Sequence, residues 1–235
     1  MTGQSARGFI LRRAARGASA LTALSEAAAE KFEQMGLPRP RVIYPGIDLE
    51  VFRPRGERSE EPTLLCAAAL DDARKQPALL IEGFRMARAR KPLRLQLITA
   101  RPTASPWREL AGEEGIEVLD GSGGTGVLAE AYSRAWVSVL TSYDEAFGLV
   151  LAEALACGTP GVGPRDAAVP EVLGEDGAGR MYELNDPESL ATALLEAVEI
   201  ADDPATREIC RTRAQTFGRD AMVEQYVDVY EQLVS

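Results

Sequence analysis

From residue 63 onward, short apolar runs with strand character alternate with segments that have helical periodicity. The clearest strand candidates are TLLCAAAL, LRLQLIT, IEVLD and WVSVLT, and a candidate helix follows each of them. A helix between successive strands is the connection that parallel strands require, because it returns the chain to the same end of the sheet. We therefore predict an α/β fold, a Rossmann-like parallel sheet with helices on both faces.

The predicted sheet also indicates where a ligand would bind. In open parallel sheets, ligands lie beyond the carboxyl ends of the strands. Here the corresponding loops are predicted to follow residues 70, 99, 120, 141 and 163. Functional side chains are therefore expected in these loops and at the helix ends that come after them.

Charge and composition exclude several kinds of function. The net charge of −10 repels polynucleotides and anionic lipid, so no nucleic acid partner is expected. The chain contains no histidine, which excludes catalytic triads and metal sites that depend on imidazole. Its three cysteines are far apart and predict free thiols in a reducing compartment. We predict no transmembrane segment and no signal peptide, because no apolar run reaches the roughly 20 residues of a membrane span.

Two glutamates flank the start of a predicted helix within TSYDEAFGLVLAEALACGTP. Glu145 precedes the helix, and Glu153 lies about two turns further on, roughly 10 Å along the axis. The helix N-terminus between them, at Phe147, Gly148 and Leu149, presents unpaired N–H groups that favour an anion. Carboxylates accept hydrogen bonds from vicinal hydroxyls, so the order of groups matches the hexose, diphosphate and ribose of a nucleotide sugar.

The same glutamates have a purely structural interpretation. Glu145 could complement the helix dipole, and Glu153 could be a solvated helix residue. Glu153, however, interrupts an apolar run between residues 151 and 155, and a buried carboxylate needs a partner. The residues alone leave both interpretations open.

The segment EAFGLVLAEALACGTPGV closely resembles the glutamate-pair motif of retaining glycosyltransferases with the GT-B fold, the large group one family. RVIYPGIDLEVFRP resembles the start of that family's C-terminal domain, with Pro45 where asparagine is usual. LDDARKQPALLIEGF resembles the segment that carries a phosphate-binding lysine. The resemblance covers about residues 18 to 235 and implies the C-terminal half of a GT-B fold.

The resemblance implies roles for three charged side chains. Glu145 would bind hydroxyls of the donor sugar, and Lys75 would neutralise the diphosphate. These two are the candidate catalytic residues, because a departing diphosphate needs a cation to stabilise it. Glu153 would hold the ribose hydroxyls.

Backbone groups complete the donor site that the resemblance implies. The backbone at Phe147, Gly148 and Leu149 would contact sugar and phosphate. The base would be read through the backbone near residues 116–121, which places Gly121 among the donor-binding residues. The resemblance implies no metal and no cofactor, since a nucleoside diphosphate sugar is the donor substrate.

The sequence departs from the family pattern at two places. AAAL stands where a Gly-Arg pair usually follows the first strand, so the second diphosphate-binding cation is missing. Arg74, Arg101 or Arg165 could replace it, since each lies in a predicted loop at a strand end. The usual Gly-Gly before PE is Ala167-Ala168, whose methyl groups would crowd the donor sugar.

GT-B enzymes contain two Rossmann-like domains, and the resemblance covers one. Residues 1–40 resemble the end of the N-terminal domain plus a linker. Residues 41–216 would form the Rossmann-like nucleotide-sugar-binding domain, and residues 217–235 a C-terminal crossover helix. The acceptor site normally lies in the other domain, so we expect an N-terminal domain or a partner chain to complete the enzyme.

Two functions follow from this resemblance. The first is a glycosyltransferase that moves a hexose from a nucleoside diphosphate sugar with retention, to an acceptor that the sequence does not identify. The alternative is a degenerate module that binds a nucleotide sugar or a partner without chemistry. The lost Gly-Arg and Gly-Gly pairs favour the alternative, whereas the glutamate pair, Gly148 and Lys75 favour donor binding.

Two further interpretations compete with this one. GSGGTG, residues 121–126, fits the G-x-G-x-x-G pattern of a dinucleotide site. The acidic position about 20 residues later, however, falls in a loop before a helix and not at a strand end. A glycosidase could also use two carboxylates, but their spacing along a helix start fits no barrel pattern.

The last predicted helix carries an apolar stripe at helical spacing. Its members are Met222, Val223, Tyr226, Val227 and Tyr230. This surface, together with the helix in residues 9–24, would be exposed and invites a partner chain or a homodimer. We expect a cytoplasmic protein, which a partner could hold at the inner membrane surface.

Overall fold

The computed structural model describes residues 6–68, 72–99 and 107–234. The N-terminal segment forms α1 (Ala6–Gly17), β1 (Thr22–Ala23), α2 (Glu26–Gln34) and β2 (Arg41–Val42). β1 and β2 pair in parallel as a small sheet of their own. Ser25 begins α2, because its side chain accepts a hydrogen bond from the Ala28 N–H at 3.1 Å.

Six further strands form the main sheet. They are β3 (Thr63–Ala67), β4 (Arg94–Thr99), β5 (Ile116–Asp120), β6 (Val137–Val139), β7 (Gly161–Pro164) and β8 (Gly179–Tyr182). The strands are all parallel and lie in the order β5-β4-β3-β6-β7-β8. The chain therefore winds outward in one direction from β3 and in the other from β6. The boundary between these two strands is the topological switch point, where doubly wound sheets bind ligands.

Helices connect the strands and follow the last one. They are α3 (Pro77–Arg88), α4 (Trp107–Leu110), α5 (Gly124–Arg134), α6 (Leu149–Ala156), α7 (Val169–Leu173), α8 (Pro187–Asp202), α9 (Pro204–Gln215) and α10 (Arg219–Val234). Short 3₁₀ turns at Ala73–Lys75 and Gly121–Gly123 follow β3 and β5. Proline begins α3, α8 and α9, where its missing N–H costs the helix nothing.

The sheet is covered on both faces, as the alternation in strand β3 requires. Leu64 and Cys66 pack into a core with α3 and α8. Leu65, which points the other way, packs into a second core with α5, α6 and α9. Strands buried on both faces read as continuous apolar runs, which is why TLLCA shows no polar alternation. These observations confirm the predicted Rossmann-like fold.

Three predicted helices begin or end elsewhere. The helix expected in residues 9–24 is observed as α1, and Thr22–Ala23 within that range form strand β1. The helix expected from Phe147 begins at Leu149, because Gly148 adopts φ +97° and cannot belong to it. The candidate helix that follows LRLQLIT, in SPWRELAGEEG, is reduced to α4, which Gly112 and Gly115 follow, the latter with φ +83°. The two residues before Trp107 in that stretch lie outside the described residues.

Helix α10 exposes much of its predicted apolar stripe. Val223, Val227 and Tyr230 are exposed, whereas the Met222 sulfur accepts a hydrogen bond from the Gly46 N–H at 3.0 Å. In the described parts of the chain, no helix combines the length and hydrophobicity needed to cross a bilayer.

Candidate functional site

The loops after β3 and β6 are held together at the switch point. The Thr141 hydroxyl donates to the Lys75 carbonyl at 2.6 Å, and the Tyr143 N–H donates to the Arg74 carbonyl at 3.2 Å. Asp72 fixes the start of the 3₁₀ turn, because its side chain accepts from the Arg74 N–H at 2.9 Å. The sheet order and these bonds bring together two loops that are far apart in the sequence.

Lys75 and Glu145 meet between these loops. The Lys75 Nζ lies 3.0 Å from the Glu145 Oε2, and the two side chains are only 22% and 21% exposed. Partial burial reduces screening by water, so this pair is stronger than an ion pair on an open surface. The two candidate catalytic residues are thus in direct contact, and each remains partly accessible to solvent.

Helix α6 begins shortly after Glu145 in the sequence. Gly148 precedes the helix with φ +97°, and no side chain caps it. Within the described residues, no acceptor contacts the N–H groups of Leu149 and Val150. The arrangement therefore leaves backbone donors free beside a cation, which is the chemistry that binds a phosphate.

Phe147 and Leu149 differ in what their side chains do. The Phe147 ring is buried 5.7 Å from the Tyr44 ring and 5.2 Å from the Phe217 ring. Leu149 is 44% exposed. Phe147 therefore anchors the loop in the core, and this stretch offers a ligand its backbone groups and the Leu149 side chain.

Glu153 lies in the second turn of α6, and its environment differs from that of Glu145. Its Oε2 accepts a hydrogen bond from the Tyr132 hydroxyl of α5 at 3.2 Å. Burial raises the pKa of the Glu153 carboxyl to about 7, although the tyrosine bond opposes that rise. Near neutral pH this group can therefore hold or release a proton, and its ionised form can accept hydroxyl hydrogen bonds.

Gly121 lies away from this centre. It follows β5, which is an edge strand, whereas Lys75 and Glu145 follow the two strands at the switch point. A side chain at Gly121 would approach within 2.9 Å of the Ile98 Cγ2, so close packing on β4 requires glycine here. The GSGGTG stretch likewise follows the edge strand, where a dinucleotide pyrophosphate does not normally bind.

The loop between β7 and α7 lies against the loop that carries Glu145. The Ala168 N–H donates to the Glu145 carbonyl at 3.4 Å, and Asp166 accepts from the Asp144 N–H at 2.8 Å. Ala167 has φ +46°, a conformation that favours glycine. The backbone therefore keeps the shape of a glycine-containing loop although the sequence has alanine there.

The arginines considered as replacement cations have acidic partners. Arg74 pairs with Asp72 at 2.7 Å, and Arg165 pairs with Glu183 at 3.2 Å. Both guanidinium groups are more than half exposed, so neither is held rigidly by packing. Arg101 lies outside the described residues.

The sequence did not indicate a role for Tyr132, nor for Thr141 and Asp166, whose hydrogen bonds hold the loops of the site together. No local pattern pairs Tyr132 with Glu153, because the contact depends on how α5 packs on α6. The three cysteines are free and buried, as predicted. Among the residues that the structure describes, no group of three histidine, cysteine or acidic side chains is placed to hold a metal ion.

The sequence of this chain is similar to those of known glycosyltransferases. The family model for group 1 glycosyl transferases matches residues 61–199. A D-inositol 3-phosphate glycosyltransferase from Nocardioides sp. is 31% identical over 226 residues, which cover 82% of this chain and 48% of the relative. An MMP alpha-(1->4)-mannosyltransferase from Mycolicibacterium hassiacum is 31% identical over 205 residues, covering 83% and 48%. This chain thus spans about half the length of these curated relatives.

Solved structures show the same fold. Sucrose-phosphate synthase from Thermosynechococcus elongatus superposes with a TM-score of 0.81 at 25% identity, covering 97% of this chain and 61% of that one. Anabaena HepE in complex with UDP-glucose gives a TM-score of 0.79 at 19% identity, covering 96% and 67%. The family match covers more than half of the sequence and coincides with the doubly wound sheet, so this chain belongs to the group 1 glycosyl transferases.

Proposed function

We propose that this chain binds a nucleoside diphosphate sugar and forms the donor side of a hexosyl transfer that retains the anomeric configuration. The contact between Lys75 and Glu145 beside the uncapped start of α6 carries this proposal. It places a cation, free backbone donors and a hydroxyl-binding carboxylate within one loop cluster at the switch point. These groups would bind the phosphates and hydroxyls of a sugar diphosphate.

The diphosphate would lie at the start of α6. The Leu149 and Val150 N–H groups would donate to its oxygens, and the helix dipole would favour its negative charge. Lys75 would turn part of its hydrogen-bonding capacity from Glu145 to the phosphate, which its three donors allow. Gly148 allows the turn into α6, because its φ of +97° is a conformation that residues with side chains rarely adopt.

The two carboxylates would hold the sugars on either side. Glu145 would accept hydrogen bonds from hexose hydroxyls, and its pairing with Lys75 keeps it oriented before the donor arrives. Glu153 would accept from the ribose hydroxyls in its ionised form. Gly121, at the end of the edge strand, would contact the base through its backbone.

The chemical step would exchange one bond at the anomeric carbon for another. The bond to the diphosphate oxygen breaks and its electron pair leaves with the diphosphate. The acceptor hydroxyl oxygen forms the new bond, and its proton passes to the departing phosphate oxygen, which becomes more basic as the bond breaks. Lys75 and the α6 amides would stabilise the charge that develops on that oxygen.

The acceptor would bind outside the described site. The relatives are about twice as long as this chain, so further protein at the open carboxyl edge would supply acceptor contacts. We propose that an N-terminal domain or a partner chain provides them. The three-unit division at residues 40 and 216 belongs to this proposal.

A second candidate function is nucleotide-sugar binding without transfer. Two observations favour it: Arg74 and Arg165 are both engaged with acids, and Ala167 holds a glycine-like conformation beside the Glu145 loop. Without a free second cation a departing diphosphate would be less stabilised, and the Ala167 methyl group would crowd the donor sugar.

A thermal-shift panel with UDP, GDP, ADP and their sugars tests donor binding. A ligand that binds only the folded chain raises the melting temperature by mass action. The shift should fall strongly in Glu153→Ala and Lys75→Ala, and should persist in Lys91→Ala, which alters the same residue type beyond the far end of α3. Absence of any shift in the unmodified chain would reject donor binding.

Transfer is tested separately. The chain is mixed with a candidate N-terminal domain and an acceptor, and product formation and anomeric configuration are measured. Tight nucleotide binding without transfer in any combination would favour the second candidate.

A further inference from the structure

Glu171 of α7 is bonded to a distant part of the chain. Its Oε2 accepts from the Glu26 N–H at 2.7 Å, and its Oε1 accepts from the Ala27 N–H at 2.8 Å. The Tyr44 hydroxyl also donates to its Oε2, at 3.3 Å. The carboxylate therefore satisfies the first two N–H groups of α2, which lies about 145 residues away in the sequence.

The start of α7 is bonded to the loop that carries Glu145. The Ala168 N–H, just before α7, donates to the Glu145 carbonyl. The Arg213 guanidinium donates to the carbonyls of Glu171 and Val172, which holds α7 on α9. A displacement of the Glu145 loop would therefore act on α7 through one backbone bond.

Two further contacts join α2 and Tyr44, which follows β2, to the loop between β6 and α6. The Tyr44 ring lies 5.7 Å from the Phe147 ring, and Phe147 directly precedes Gly148. Lys31 of α2 forms an ion pair with Asp144, but both side chains are more than half exposed, so this pair contributes little. Glu171 is the strongest of these links, because both of its oxygens accept charge-assisted hydrogen bonds.

We propose that Glu171 is a positioning residue that couples the placement of α2 to the geometry of the donor site. Losing its bonds would leave the first N–H groups of α2 without acceptors, which is unfavourable. The bonds therefore tie the position of α2 to that of α7. Donor binding at the start of α6 then favours the seated position of α2, and a seated α2 favours donor binding by the same factor. This inference rests on the proposed donor site and adds a residue outside it.

Hydrogen exchange measured by NMR tests the coupling in the unmodified chain. Saturating UDP-sugar, or whichever sugar nucleotide gives the thermal shift, should slow exchange at the Glu26 and Ala27 amides about fivefold, the low end of typical couplings. Binding without any change at these two amides would overturn the inference and leave the proposed function standing. No binding at all would reject both.

The variant Glu171→Gln tests the residue. It replaces one accepting oxygen by an NH₂ group, which cannot accept from an α2 amide. We expect sugar-nucleotide affinity to fall about fivefold and the donor-dependent slowing at Glu26 and Ala27 to disappear. Glu175→Gln, an exposed glutamate just beyond α7, is the matched control and should change neither quantity. Unchanged affinity and retained slowing in folded Glu171→Gln would contradict the assignment. If the variant does not fold, the exchange measurement on the unmodified chain decides.

Discussion

The two glutamates that flank the start of α6 belong to the same motif but occupy opposite electrostatic environments. Glu145 lies in the loop, paired with Lys75 at 3.0 Å and partly open to solvent. Glu153 lies on the helix, desolvated and bonded only to the neutral Tyr132 hydroxyl among its described contacts. A cation stabilises the first charge, whereas burial opposes the second. The motif therefore specifies carboxylates at two positions, and the tertiary packing gives one a cation as its partner and buries the other.

The largest expected effect is on the unfolding free energy, which the buried carboxylate of Glu153 lowers at high pH. The raised pKa means that the folded chain keeps this proton at a pH where the unfolded chain has lost it. Relative to Glu153→Gln, stability should therefore fall as the pH rises from about 4.5 to about 7 and stay constant above that. The substitution should raise the unfolding free energy at pH 8 by up to about 3 kcal/mol.

Urea unfolding of both proteins between pH 4 and pH 9 measures this difference. The same substitution at Glu145 is the control, because Glu145→Gln loses an ion pair and should not stabilise the chain. An equal pH dependence in the unmodified chain and Glu153→Gln would contradict the desolvated environment of Glu153.

The second effect concerns the cation on the Glu145 side. Lys75→Ala removes the positive charge beside the α6 N-terminus, so affinity for a nucleoside diphosphate should fall about 30-fold, roughly 2 kcal/mol. Titration calorimetry measures it, with Lys91→Ala as the control. Affinity for the free nucleoside should change little, and an equal loss for both ligands would argue against a diphosphate contact at Lys75.

The third effect uses the titration of Glu153 in ligand binding. If ribose hydroxyls bind the ionised carboxylate, sugar-nucleotide affinity should rise by up to about tenfold from pH 6 to pH 8, as a group with pKa about 7 ionises. Glu153→Gln should bind more weakly and without this pH dependence. A pH profile that is identical in both proteins would exclude Glu153 from the nucleotide site.

The smallest effect concerns the backbone against which the Glu145 loop rests. Ala167 adopts φ +46°, so Ala167→Gly should stabilise the chain by about 1 kcal/mol, whereas the adjacent Ala168→Gly should not. Thermal unfolding measures this difference. A gain in donor affinity that accompanies Ala167→Gly would show that the methyl group crowds the ligand, and destabilisation would contradict the strained conformation.

Much of the fold follows from local pattern. The alternation after residue 63, the prolines that begin helices and the Ser25 cap each depend on residues close in sequence, so they were predictable. The start of α6 was predicted two residues too early, since the local pattern does not show that Gly148 adopts φ +97° and interrupts the helix.

Some features of the candidate site also follow from local sequence, and others depend on the tertiary structure. The spacing of Glu145 and Glu153 around a helix start is a local property, and the sequence by itself determined it together with the family and the doubly wound fold. The contact of Lys75 with Glu145, the bond from Tyr132 to Glu153 and the cap that Glu171 places on α2 were decided only by the tertiary structure. The physical reason is that strand order and helix packing, which are set by the core as a whole, determine which distant side chains become neighbours and how much water surrounds them.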